Sequence, residues 1–407
     1  MNLIEAKQLI HQAEDSLQNE FSALEEIALY NQEKVLKAFQ AQQIAVRHFN
    51  GTSGYGNSDD GKEAFGRVLA QSFGAESCVF SPSIASGTHA LTLALFGILR
   101  PGDKVLSISG EPYDTMQDVI YRKGIGSLAD YQIEFECIDL CEGRFRQTEI
   151  AARLATGAYR MVYIQRSRGY SWRKALSLEQ IEDIVPVIKE LSPNTIIFVD
   201  NCYGEFTQKK EPCDVGADLV AGSLIKNPGG GIAPTGGYIA GRQDLVELVS
   251  YRLTVPSIGS EIGSYTAGYR TFYQGLFLAP HVVMQAMKGA KLFSEIFRAI
   301  GYEALPASGE SLNDIVCSVR LQDRDKMIAF CQALQAASPI DSNVCPCPWS
   351  MPGYADEVIM AAGCFVEGAS IELSCDAPLR EPYILYLQGG LTYEHIKIAA
   401  QKCLESL

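Results

Sequence analysis

The chain has 407 residues, 47% hydrophobic and 20% charged, the balance of a soluble globular enzyme with room for a large domain and a smaller one. Its 34 basic and 48 acidic side chains leave a formal charge of −14, which speaks against a nucleic-acid or anionic-membrane partner, since phosphates want a basic face. Twelve scattered cysteines are too sparse for a disulfide scaffold and point to reduced thiols and a cytoplasmic setting. Only Cys345 and Cys347 lie close together, with no histidine nearby to complete a metal site.

The amphipathic, acidic start has no basic flank leading into an apolar core, so it is not read as a signal peptide. Residues 3 to about 45 carry helical spacing and predict one or two helices. "FNGTSGYGNSDDG" (49–61) is a loop long enough to be functional or to reach a neighbouring chain. From about residue 62 helices alternate with short apolar runs: the helix "KEAFGRVLAQSFG", the strand "CVFS", the helix "GTHALTLALFGIL" and the strand "KVLSIS". The strands "MVYIQ" and "TIIFVD" follow with the helical "SLEQIEDIVPVIKEL" between them, then "ADLVAGSLI" and "GGYIAG". The most apolar stretch, Leu91 to Leu99, is too short to cross a bilayer. This alternation predicts an α/β fold with a mostly parallel sheet. A helical stretch from Ser264 to Ile300, interrupted near Pro280, leads to "DIVCSVRL", "EVIMAA", "SIELS" and "YILYLQ", four expected strands of a smaller α+β domain flanked by two helical segments. The expected division is 1–61 for an N-terminal helical segment and inter-subunit loop, 62–300 for the large domain and 301–407 for the small one.

Ligands of such sheets sit beyond the carboxyl ends of the strands, and three polar points lie there. Ser86-Gly87-Thr88 opens a long helix after a strand, either an ordinary N-cap or an anion cradle. Asp200 ends "TIIFVD" and is either a structural ion pair or a ligand carboxylate. Lys226, in "SLIKNPGGG" with Ser223 three residues before it, is either a lysine reaching out to solvent or a sheltered amine that burial turns into a nucleophile. Together an anion cradle, a carboxylate and an amine match the needs of pyridoxal 5′-phosphate (PLP): a seat for its phosphate, a partner for its pyridine nitrogen and a covalent anchor for its aldehyde.

The motifs "FNGTSGYGNSDDG", "PYDTMQDVI", "YIQRSRGYSW", "VDNCYGEF", "GSLIKNPGGGIAPTGGYIAG" and "YLQGGLTYEH" carry a resemblance over nearly the whole chain. It resembles a fold-type I PLP enzyme of the cysteine and methionine metabolism group, within the aluminium-resistance or methionine-γ-lyase-like branch. The resemblance implies that Lys226 is the Schiff-base lysine and proton shuttle. It further implies that Asp200 pairs with the pyridine nitrogen, that Ser86, Gly87, Thr88 and Ser223 meet the phosphate, and that Tyr113 stacks on the ring and handles protons near the leaving group. Tyr55 matches a tyrosine that reaches a neighbour's site, which implies a dimer with shared active sites and, in the family, a tetramer. Arg380 is the candidate anchor for a substrate carboxylate. Arg166 and Arg168, in "QRSRGYSWR", are expected near the cofactor mouth, as ligands of a carboxylate or phosphate or as surface charges. Ile225 departs from the wider lyase pattern, which has a threonine there. The implied activity is carbon–sulfur lyase chemistry on a small sulfur amino acid, releasing a thiol, ammonia and a 2-oxo acid, by β- or γ-elimination. The alternatives are another PLP reaction of transferase, aldolase or decarboxylase type, and a non-catalytic metal-tolerance protein. For the latter the nearest oxygen cluster is Asp59-Asp60, read as a solvated loop pair.

Overall fold

Seven short strands make the first sheet: β1 (Ser77–Ser81), β2 (Lys104–Ser107), β3 (Glu134–Cys137), β4 (Met161–Gln165), β5 (Ile196–Asp200), β6 (Leu219–Ser223) and β7 (Gly237–Gly241). The computed structural model describes residues 1–406. The order across the sheet is β1-β7-β6-β5-β4-β2-β3. The strands from β2 to β6 pair in parallel, and β7 runs against both β1 and β6, so β7 alone is reversed and the expected mostly parallel sheet is formed. Strands β4 to β7 are buried at every position. Helices cover both faces, which is why these strands read as unbroken apolar runs. The edge strand β3 alternates Glu134 and Glu136 with half-buried neighbours, and its acidic residues hid it in the sequence.

The helices are α1 (Leu3–Ser16), α2 (Gln18–Ala41), α3 (Asp60–Ser72), α4 (Gly87–Ile98), α5 (Asp114–Tyr121), α6 (Gln147–Thr156), α7 (Leu178–Leu191), α8 (Gln243–Leu253), α9 (Arg270–Ala299), α10 (Arg324–Ala336) and α11 (Tyr393–Ser406). One sheet face packs Val105 and Phe198 against Leu91, Leu95, Leu245 and Val249 of α4 and α8. The other packs Val162, Val199 and Val220 with Phe65, Ile150, Ile181 and Leu276 in a core that continues into the C-terminal region. Helix α9 runs unbroken through Pro280, contrary to the expected interruption. Its proline lacks one N–H, but Gln32 of α2 donates its side-chain amide to the Phe277 carbonyl at 3.0 Å in the same stretch, and α2 packs along the helix.

The second sheet holds β8 (Glu303–Leu305), β9 (Val316–Arg320), β10 (Val358–Ala361), β11 (Ser374–Pro378) and β12 (Ile384–Gln388), in the order β10-β11-β12-β9-β8. Every pairing in it is antiparallel. The stretch "SIELS" is not a strand as expected; β11 begins at its last residue. Ile371 and Leu373 are buried, but Glu372 folds back to accept the N–H groups of Phe365 and Val366 at 2.9 Å, so the alternation serves a loop. Helix α1 rests on α11 and α9, and ion pairs Glu14–Lys397 (2.7 Å) and Glu25–Lys288 (2.6 Å) tie the first two helices to both. Among the described residues no helix is long and apolar enough to cross a membrane, and no group of three or more His, Cys, Asp or Glu side chains gathers as a metal site. Asp59 is not solvated: it is buried, caps α3 through the Lys62 N–H, and accepts from the hydroxyls of Thr52 (2.5 Å) and Tyr269 (2.6 Å).

Candidate active site

Beyond the carboxyl ends of β1, β5 and β6 lies a cavity of about 450 Å³, within the range of small-molecule sites. Ser86, Gly87, Thr88, Tyr113, Asp200, Ser223 and Lys226, distant in sequence, all border it.

The first contribution is the start of α4. Ser86 is its N-cap, with Oγ accepting the His89 N–H at 3.0 Å. The N–H groups of Gly87 and Thr88 find no acceptor among the described residues, as expected for a first turn, and the helix dipole adds to their pull on an anion. Gly87 keeps the cradle open: a Cβ there would stand 2.9 Å from Cys202 Sγ and 3.9 Å from Lys226 Nζ. Ser223 ends β6 wholly buried, its Oγ without a hydrogen-bond partner. Thr88 and Thr115 share a hydroxyl contact of 2.7 Å. His89 is not a free base, because its Nδ1 accepts the Ala85 N–H at 3.1 Å.

The second is Asp200. Its Oδ1 accepts the Cys202 N–H at 3.0 Å and its Oδ2 a longer bond from the Tyr163 hydroxyl at 3.4 Å. Burial pushes this carboxyl up, and the Lys226 ammonium opposes the rise.

The third is Lys226. Strand β6 stops at Ser223, and a tight turn brings the lysine back over the strand end. The glycines after it make that turn possible. A Cβ on Gly229 would lie 1.7 Å from the Leu224 carbonyl oxygen, and one on Gly230, whose φ is +54°, would lie 2.4 Å from that of Gly275 in α9. Lys226 Nζ sits 4.0 Å from the centroid of the Tyr203 ring. The expectation of a lysine neutralised by burial is reversed. Burial does pull the ammonium down, but Cys202, Tyr203, Asp200 and Glu205 outweigh it and lift Lys226 above the ordinary lysine value.

Tyr113 precedes α5 and borders both this cavity and an adjoining one of about 520 Å³. Its N–H donates to Gln165 Oε1 at 2.7 Å and its hydroxyl meets that of Tyr354 at 2.9 Å. Burial, and then the charge of Asp376, hold its phenol protonated.

Four expected residues stand apart. Tyr55 is 76% exposed on the loop before α3, outside the cavity. Arg168 is buried and its fork is engaged by Asp314, through Nε–Oδ2 and Nη2–Oδ1 contacts of 3.2 Å. It borders the adjoining cavity, as does Arg380, which pairs with Asp356 at 3.0 Å and donates to the Tyr170 carbonyl at 3.3 Å. Arg166 is neither a ligand nor a surface charge. It is fully buried, and Asn201, Thr207, Gln208 and the Gly204 and Leu176 carbonyls saturate it.

Sequence reasoning missed Cys202, Tyr203, Gln165, Tyr354, Ser374, Asp376 and Gln388, which also border the cavity. The first two follow Asp200 directly and were within reach of the strand-end argument. Gln165 ends β4 and lay equally within reach of it; Tyr354 comes from a loop, and Ser374, Asp376 and Gln388 from the second sheet, whose β11 begins later than the residue pattern predicts.

These features fit PLP: an N-terminal cradle with free N–H groups, an orphaned hydroxyl in Ser223, a buried carboxylate and an amine, around a space of adequate size. The model of the methionine gamma-lyase family matches residues 6–407. A Listeria innocua protein, described as a candidate cystathionine beta-lyase involved in aluminium resistance, has a crystal structure 48% identical in sequence, with a TM-score of 0.96 and all of both chains covered. A carbon–sulfur lyase involved in aluminium resistance from Clostridium novyi NT is 50% identical, with a TM-score of 0.95, covering 99% of this chain and 96% of its own. At 16% identity the PLP-dependent protein YhfS of Escherichia coli shares the fold, with a TM-score of 0.61, covering 100% of this chain and 98% of its own.

Proposed function

Because the chain belongs to the methionine gamma-lyase family, a family of PLP-dependent lyases, we propose that it cleaves a carbon–sulfur bond of a sulfur amino acid, releasing a thiol, ammonia and a 2-oxo acid. The observation that carries this reading is the convergence of Lys226, Asp200 and the open start of α4 on one cavity. The names of the Clostridium and Listeria relatives support the same chemistry.

In this proposal the N–H groups of Gly87 and Thr88, with the hydroxyls of Ser86, Thr88 and Ser223, bind the phosphate end of the cofactor. When bound, PLP supplies an aldehyde for the amine and an electron sink for the α-carbon. Asp200 holds a proton at the pyridine nitrogen. Lys226 anchors the aldehyde and then moves the proton at the substrate α-carbon. Tyr113, kept protonated by burial, gives a proton to the departing sulfur. With Arg166 saturated, Arg168 bound by Asp314 and Arg380 bordering the adjoining cavity, Lys226 is, among the described residues, the one cationic side chain on the cavity wall. Tyr55 serves the cavity of a second copy, and the working form is an oligomer.

Borohydride reduction of the PLP-loaded protein followed by peptide mapping should find a pyridoxyl group on Lys226. Ammonia and 2-oxo acid should then be released from cystathionine, cysteine or methionine. A tagged lysine with no release from any of the three would replace the lyase reading by another reaction on the same fold.

A further inference from the structure

Each turnover that hands the Tyr113 proton to sulfur leaves a phenolate behind, and that phenolate is poorly placed. Burial, and then the charge of Asp376, oppose its formation. A donor at its oxygen offsets that cost, and the hydroxyl of Tyr354 stands there, at 2.9 Å. Either phenol of the pair can donate or accept.

Tyr354 belongs to the loop between α10 and β10, and its ring is held from several sides. The backbones of Trp349 and Val358 exchange N–H···O bonds of 3.2 and 3.1 Å and close the loop. The Tyr354 N–H donates to the Met351 carbonyl at 3.3 Å. Two residues on, Asp356 pairs with Arg380, which donates to the Tyr170 carbonyl, and the Tyr386 hydroxyl donates to that same carbonyl at 2.6 Å. The Tyr170 ring packs against both phenols, its centroid 5.3 Å from that of Tyr113 and 5.9 Å from that of Tyr354. Tyr354 meets Tyr113 edge-on, at 84°. The hydroxyl contact is therefore fixed by packing, not left to a free side chain.

Tyr113 and Tyr354 both border the two cavities. The adjoining one carries exposed residues, Glu111, Ser171, Gly353 and Ala355, so solvent protons reach it. Tyr354 is half-buried; burial lifts its phenol, and the hydrogen bond with Tyr113 opposes the rise. It too starts each cycle protonated.

Resting on the lyase reading and on the part of Tyr113 in it, we infer that Tyr354 refills Tyr113, so that the proton reaching the departing sulfur enters from the adjoining cavity. As the carbon–sulfur bond breaks, its electron pair stays on sulfur, which takes the Tyr113 proton. The Tyr354 proton moves to the Tyr113 oxygen, and a proton from solvent in the adjoining cavity restores Tyr354. Tyr354 touches no reacting atom and acts through Tyr113.

The test compares Y354F, which keeps the ring, with the wild type on S-ethyl-L-cysteine and S-(4-nitrophenyl)-L-cysteine. An alkyl thiolate needs a proton as it leaves, whereas the nitrophenyl thiolate, a much weaker base, leaves without one. The loss in kcat/KM caused by Y354F should be about tenfold larger on the ethyl compound. An equal loss on both, the mark of damaged packing, overturns the inference, and so does no loss on either. A second readout needs no turnover. Tyr113 is replaced by 2,3,5-trifluorotyrosine, and 19F NMR follows its ionisation in the PLP-loaded protein without substrate. Y354F removes a donor to the phenolate, so the proton affinity at position 113 should rise by about tenfold. An unchanged titration overturns the inference. If neither cysteine derivative is consumed, the lyase reading falls, and the titration still decides whether Tyr354 supplies a proton to Tyr113. Should Y354F fail to fold, Tyr354 is replaced by 3-fluorotyrosine, which keeps ring and hydroxyl but yields its proton more readily. The proton affinity at position 113 should then fall, and no change overturns the inference.

Discussion

Two side chains define what the site can do, and a third reports its environment. Replacing Lys226 by alanine removes anchor and base together, so K226A should lose on the order of 10²–10⁴-fold or more in turnover and leave no pyridoxyl peptide after reduction. Asp200 is the other: with D200A the phosphate seat is intact, so PLP should still bind, while turnover falls. Glu205 is the reporter. It is wholly buried, accepts from the Tyr238 hydroxyl at 2.7 Å, and burial pushes its carboxyl up to about 8. A folded value above the unfolded one means that the native chain holds the extra proton between roughly pH 4.5 and pH 8. Stability contributed by the neutral acid is therefore lost as pH rises through that window. The E205Q protein, which keeps the shape without the charge, should show a smaller fall in thermal midpoint between pH 6 and pH 9 than the wild type. A parallel fall in both proteins would remove Glu205 as the cause.

The lysine turn is a property of two elements, not of one residue. Gly275 of α9 faces Gly229 so closely that a Cβ would lie 2.3 Å from its carbonyl oxygen. G275A should therefore cost about 1–3 kcal/mol from overpacking, lower the thermal midpoint, and reduce the fraction of Lys226 that carries the cofactor. A midpoint equal to that of the wild type would show that the contact relaxes freely. The same comparison shows which elements could be read from the residues. Strands β4 to β7 and helices α4 and α7 were legible because burial on both sides of the sheet, or a capping residue such as Ser177, leaves a strong local pattern. Strand β11 was not, since Glu372 borrows the alternation of a strand to close a loop. Pro280 misled for the opposite reason: a breaker in isolation, it sits in a long helix that α2 packs along and that Gln32 bonds at the neighbouring Phe277 carbonyl.

At the scale of the molecule the site is a meeting of distant segments. Lys226, Asp200 and the α4 start were recognisable because sheet topology sends each to the same edge. The walls from Tyr354, Ser374, Asp376 and Gln388 were not, because they depend on how the second sheet docks. Tyr55 remains outside the cavity of its own chain, which motivates a mixing test. Y55A and K226A, each impaired alone, should recover about a quarter of wild-type activity after subunits are exchanged, because half of the pairs hold one complete site. No recovery would assign Tyr55 to a purely local role.

Helix α9 touches the Asn227–Gly229 turn near its start and strands β8, β9 and β12 further along. A stiff rod held at both ends works as a lever. Any displacement of the second sheet along α9 would therefore bear on the turn next to the reactive amine, so the two walls of the cavity are joined through one helix.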